Sequence, residues 1–147
     1  MQGYGGYGRG IRRGFGAGFG GFVSMPNPLP PPPSGVFRIA TAVLDNRGLD
    51  SIISPRFARA PFLAIIDIMG GAITNIQVIG NPAASAPRGA GVAVAQWLIS
   101  SGVRAVLAVN LGHNVYTILR QASVAIYTVQ PGIRIIDALR SVGLVKG

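Results

Sequence analysis

The chain has 147 residues, with thirteen Lys+Arg against four Asp+Glu, a formal net charge of +9, 49% apolar residues and only 12% charged ones. It has no cysteine, which excludes a disulfide framework, a Cys-ligated zinc site and a thiolate-held iron–sulfur cluster. No uncharged apolar run reaches the roughly 18 residues of a membrane helix, and the glycine-rich start lacks the apolar core of a signal peptide. A soluble cytoplasmic protein with no membrane partner is expected.

The charge is unusual in kind. Twelve of the basic residues are Arg and the other is Lys146; the acids are Asp45, Asp50, Asp67 and Asp137, with no Glu. The planar fork of Arg grips phosphates, carboxylates and other oxyanions. Four scattered carboxylates leave little for acid–base work, and a two-metal nuclease needs them clustered. A non-enzyme with an anionic partner is expected, nucleic acid being the first to consider.

Taken in chain order, residues 1–24 hold ten glycines, punctuated by Tyr4, Tyr7, Phe15, Phe19 and Phe22, with Arg9, Arg12 and Arg13 as the only charges. Such a segment buries too little surface to offset its backbone entropy and is expected to be disordered. Its Arg, Gly and aromatic residues also suit stacking on single-stranded nucleic acid. Residues 25–35, MPNPLPPPPSG, read as a polyproline II spacer. Residues 1–35 are thus tail and linker. A domain carrying 10 − 4 = +6 runs from Val36 to Gly147.

Val36–Val43 is apolar and β-branched, a first strand. Leu44–Pro61 is a long loop. Phe62–Met69 and Ala72–Ile79 are strands joined by a Gly70-Gly71 hairpin turn. The second of them alternates, with Ile73, Asn75, Gln77 and Ile79 on one face and Thr74, Ile76 and Val78 on the other. Gly80–Gly89 is a loop. Ala90–Ser101 is a helix closed by Gly102, with Trp97 on its apolar stripe. Arg104–Val109 is a buried strand, His113–Gln121 a helix, Val124–Val129 a strand and Pro131–Val142 a last helix. Tyr116 and Tyr127 fall in elements expected to be buried. The order β-β-β-α-β-α-β-α implies an α/β fold with a five-stranded mixed sheet, antiparallel at first and parallel later.

Ligands of such sheets bind beyond strand carboxyl ends, near helix N-termini. The loops there carry Arg47, Arg56, Arg59, Arg88 and His113. Gly89, Gly91 and Gly112 would let backbone N–H groups approach an anion. These arginines are either the walls of an anion site or ordinary solvated loop residues. His113, the only histidine, sits at a helix start. Two roles are open to it: ligation through a free ring nitrogen, or a local bond to a carbonyl. It cannot make a zinc site alone. It could be one protein ligand to a cluster that brings its own sulfides.

The stretch RIATAVLDNRGLDSIISPRFARAP, then VIGNP, RGAG and LAVNLGHN, resembles the dinitrogenase iron–molybdenum cofactor biosynthesis family, which includes NifX-like proteins and the C-terminal region of NifB-like ones. The resemblance spans Phe37 to about Gly147. Its most specific element is Phe57-Ala58-Arg59-Ala60-Pro61, with Ala58 standing where the family has glycine. Asn81-Pro82, Gly89-Ala90-Gly91 and Gly112 also match. Several relatives carry His where this chain has Arg88. The resemblance implies a ribonuclease H-like fold and non-catalytic binding or carriage of an anionic metal–sulfur cluster of the iron–molybdenum type. The expected site is Arg59, Arg88, Gly89, Gly91, Gly112 and Asn114, with His113 as metal ligand. The expected partners are cofactor-assembly or delivery proteins. High apolar content with little charge also admits self-association into a homo-oligomer.

Overall fold

The computed structural model describes residues 23–146; the expectation of a disordered glycine tail, and the tyrosines and arginines within it, lie outside the described residues. Among the described residues five strands and three α-helices are formed. The strands are β1 (Phe37–Val43), β2 (Phe62–Met69), β3 (Ala72–Gly80), β4 (Ala105–Ala108) and β5 (Ala125–Thr128). The helices are α1 (Ala90–Ser100), α2 (His113–Gln121) and α3 (Ile135–Ser141).

The sheet order is β3-β2-β1-β4-β5. β2 pairs antiparallel with both β1 and β3, while β4 lies parallel to β1 and β5. The sheet is therefore mixed, as the element order implied. β1 is central and buried along six of its seven residues, which is why VFRIATAV reads as a continuous apolar run rather than an alternation. Gly70 and Gly71 both take positive φ, 61° and 81°, the requirement of a tight hairpin turn.

Two apolar layers sandwich the sheet. On one face Ala40, Ala42, Leu63, Ile65, Val106 and Ala108 meet α1 and α2. On the other Ile39, Val43, Ala64, Ile66 and Leu107 meet α3 through Ile135, Ala138 and Leu139. A register shift falls where Asp67 pairs with Asn75 but Ile68 pairs with Ile73. The extra residue, Thr74, donates its hydroxyl to the Asp67 carbonyl at 3.2 Å. This bulge corrects the expected alternation of β3: Ile73 packs with Ile76 and Val78 on the same face, because one inserted residue reverses the phase of the pleat.

The last helix starts later than its sequence suggested. Residues 131–134 instead lie against the loop after β1: Ile53 N–H donates to the Ile133 carbonyl at 2.9 Å, and Ile135 N–H to Ser51 at 3.0 Å. Gly132, at φ 80°, makes the bend. These carbonyl and amide partners compete successfully with an earlier first helical turn.

The proline-rich stretch is extended, and it lies on the domain as a strap. Val23, Met25 and Leu29 pack against the α1 face of the core. The indole N–H of Trp97 donates to Pro26 O at 2.9 Å, and Leu29 N–H donates to Ser101 Oγ at 3.0 Å. Arg38 secures the same region. Its guanidinium is bidentate on Asp67, at 2.8 and 3.2 Å, and donates to Pro30 O and Ser101 O, both at 2.7 Å. The lone Asp in the apolar run of β2 is thereby explained: with side chains 8% and 9% exposed, each supplies the counter-charge and hydrogen bonds that the other lost with water.

Candidate functional site

The register places the carboxyl ends of β1, β3 and β4 at one edge of the sheet. There Val43 faces Phe62, Phe62 faces Gly80, and Ala108 faces Thr128. The loops 44–61, 81–89 and 109–112 leave from this edge, and α1 and α2 begin there. Between the two helix starts lies a hollow of about 310 Å³, lined by Gly89, Gly91, Val92, Gly112, His113, Asn114 and Val115.

Five of the seven expected site residues therefore line one hollow: Gly89, Gly91, Gly112, His113 and Asn114. His113 and Asn114 are exposed and open α2; Gly112 is its N-cap. Neither α1 nor α2 has a side-chain cap at its start. The N–H groups of both first turns thus lack an intramolecular side-chain acceptor, and they carry the positive end of each helix dipole.

The glycines serve different ends. Gly89 takes φ 78°, a conformation that side chains disfavour. Gly91 is required by packing: a Cβ there would sit 2.5 Å from Val115 Cγ2, so its absence lets α1 approach α2. Gly112 has an ordinary φ of −63° and a Cβ there would meet nothing. Backbone conformation and packing both leave room for a side chain at Gly112.

Arg59 and Arg88 are not among the residues lining the hollow. Arg88 is exposed on the loop directly before Gly89. Arg59 is half-buried and donates to the Ala86 carbonyl. Asn81 works beside it: its amide donates to Ala58 O and Ala60 O, both at 2.9 Å, and its carbonyl accepts from Ala83 N–H at 3.0 Å. Arg59 and Asn81 together bind the 57–61 loop to the loop leading into α1. They fix where Arg88 and Gly89 emerge. The sequence puts both arginines on the loops beside α1 but does not separate them, since nothing in residue type distinguishes an arginine that holds a loop from one left in solvent.

All four aspartates are paired. Asp67 holds Arg38, Asp45 holds Arg47 at 2.7 Å, and Asp50 and Asp137 both hold Arg134 at 2.9 Å. The Ile52 amide and the Arg47 guanidinium keep the Asp45 carboxyl below its usual range. Arg134 does the same to Asp137, and the two carboxylates push the Arg134 guanidinium upward. None of these acids lines the hollow. Tyr116, expected to be buried, is 47% exposed, because Val115 and Leu119 are the buried face of α2 and residue 116 turns away from it. Tyr127 is partly buried against the α3 layer.

A three-layer α/β domain with a glycine-lined hollow between two uncapped helix starts, at its strand carboxyl ends, defines the class. Residues 38–143 match the family described as dinitrogenase iron-molybdenum cofactor, and the chain belongs to that family. Among solved structures, it is 34% identical to a Thermotoga protein provisionally described as a NifB protein, over 74% of this chain and 90% of that one, with a TM-score of 0.59. The apo form of the orange protein from Desulfovibrio gigas is 24% identical and covers 71% of this chain and 85% of its own, with a TM-score of 0.62; it shares the fold. An uncharacterized protein of Methanocaldococcus jannaschii is 29% identical over 92 residues, 63% of this chain and 74% of its own.

Proposed function

We propose that the protein binds and carries, without catalysis, a preassembled anionic metal–sulfur cluster of the iron–molybdenum type, passing it between cofactor-assembly proteins. Family membership supports the general role. The observation that carries the specific reading is the hollow, which joins two uncapped helix starts, three glycines and His113 with no carboxylate among its walls. The donor set suits cargo that arrives complete. Among the described residues no group of three or more His, Cys, Asp or Glu could hold a bare metal ion. Backbone N–H groups and Arg88 would offset the negative charge of the cluster, and His113 would supply one ligand. Arg59 then acts by positioning the loop. The sheet order, with its antiparallel hairpin edge and parallel β1-β4-β5 half, supports a ribonuclease H-like fold. Residues 36–147 are the cofactor-type domain on this reading.

The test is anaerobic incubation with iron, sulfide and molybdate, then desalting and metal analysis. Wild type is expected to retain a coloured metal–sulfur species, and His113→Ala/Arg88→Ala to lose it while folding normally. If wild type retains no metal, the reading is overturned.

A further inference from the structure

β5 is an outer strand of the sheet, paired with β4 on one side. The pattern of that pairing shows what its other side offers. Ala125 N–H donates to Arg104 O at 2.9 Å, and Val129 N–H to Ala108 O at 3.0 Å. In a parallel ladder alternate residues turn both backbone groups to the same neighbour, so Tyr127 also faces β4. The N–H and C=O groups of Ile126 and Thr128 face outward, and among the described residues no strand lies against them.

A cavity of about 320 Å³ opens beside this edge, between α2 and the carboxyl ends of β4 and β5. Asn110, Leu111, Tyr116, Ile126 and Thr128 are among its walls, and no charged side chain is. At the opposite end of β5 stand two exposed arginines. Arg104 accepts through its carbonyl from the first residue of β5, and Arg120 from Ser123, just before the strand. The four aspartates are held by Arg38, Arg47 and Arg134. Neither Arg104 nor Arg120 thus has a carboxylate partner among the described residues.

Open backbone groups, an uncharged side-chain cavity and unpaired cations along one edge are the elements of strand addition. In that mode main-chain bonds supply affinity, while the pocket and the charges select the sequence. We propose that an extended acidic segment of another protein adds to β5 as a sixth strand. Its backbone bonds Ile126 and Thr128, one apolar side chain fills the cavity against Leu111 and Tyr116, and an acidic residue meets Arg104 and Arg120. Ile126, Val106 and Ala108 belong to the α1 and α2 layer, and Arg104 is in phase with them. The length of β5 is ~13 Å, so the apolar and acidic positions of the segment stand about four residues apart, on one face. Charge selects against a second copy of this chain, which has no glutamate and whose aspartates are already paired. Asn110 and Leu111 lead directly into Gly112 and His113 of the hollow, so the docked segment lies beside the cargo. That last link rests on the cluster-carrying reading above; the docking surface does not.

The full chain is used to select from a phage library of random linear peptides, and the selected peptides are synthesised and titrated at about 0.15 M salt. They are expected to share an apolar and an acidic residue in the spacing given. Amide exchange of the isotope-labelled chain gives the location: binding should slow Ile126 and Thr128, which are open in the free chain, and leave Tyr127 unchanged. Thr128→Pro removes one outward donor at an edge position where proline is tolerated and should weaken binding about tenfold. Arg104→Glu/Arg120→Glu changes exposed side chains alone and should do the same. No selected peptide, equal binding by both variants, or protection of another surface overturns the proposal. So does a chain that sediments as a dimer with Ile126 and Thr128 already protected, which makes a second copy the occupant. Metal retention is measured without peptide, so its failure bears on carriage alone.

Discussion

The two ends of the sheet use arginine in opposite ways. Where β1 begins, Arg38 is 6% exposed and engages Asp67, Pro30 and Ser101 at once. Where β1 ends, Arg88 stands in solvent before two uncapped helices, and no carboxylate lines the hollow between them. A buried arginine with an assigned acceptor for each side of its fork is a fastener. An exposed one beside glycine and open N–H groups is available to a ligand. Residue type is the same at both ends; the partners distinguish them.

That contrast breaks most sharply at the fastened end. Asp67→Ala leaves Arg38 buried without its counter-ion. We expect a loss of about 3–5 kcal/mol, measured as a lower denaturant midpoint. The next effect falls between the helices. Gly91→Ala forces a Cβ into Val115 Cγ2 and should cost about 1–3 kcal/mol, with Val115→Ala restoring part of the loss. At the open end stability should barely respond. Gly112→Ala, whose Cβ meets nothing, should change stability by less than about 0.5 kcal/mol yet reduce metal retention by narrowing the hollow. Equal loss of stability at Gly91 and Gly112 would erase the distinction drawn between them.

The smallest effect is that of pH. The carboxyls of Asp45 and Asp137 are depressed below the ordinary 3.8. Their contribution is therefore complete above about pH 4 and declines as the pH falls through the lowered values. Melting temperatures recorded from pH 5 to pH 2.5 should fall only in the lower part of that range. Asp137→Asn should flatten the fall.

Much of this molecule could be read from its residues, and the misreadings have physical causes. The hairpin glycines, the apolar run of β1 and the Gly102 stop are local signals, and they place the elements within a residue or two. The β3 faces were misjudged because a bulge at Thr74 depends on its partner strand. The start of α3 was misjudged because Ser51 and Ile53, some eighty residues away, hold the preceding backbone extended. The strap escaped notice for the same reason: a proline run looks like a spacer until Trp97, Ser101 and Arg38 supply donors and an acceptor. In the site, glycine spacing and the helix start were legible. The role of Arg59 was not, because its acceptor is a backbone carbonyl twenty-seven residues away.

Every aspartate in the chain is tied to an arginine, and this fixes more than local geometry. With no glutamate and no spare carboxylate, the positive surplus comes from guanidinium groups, which keep their charge across the whole working range of a cell. The field over the hollow is then nearly independent of acidity, the single histidine aside. On the cluster-carrying reading, the arginine part of the grip on an anion there would not weaken with a drop in pH. On the same reading, a competing surface that offers better partners would draw the anion away, and the arginines would favour hand-over above shedding into solvent.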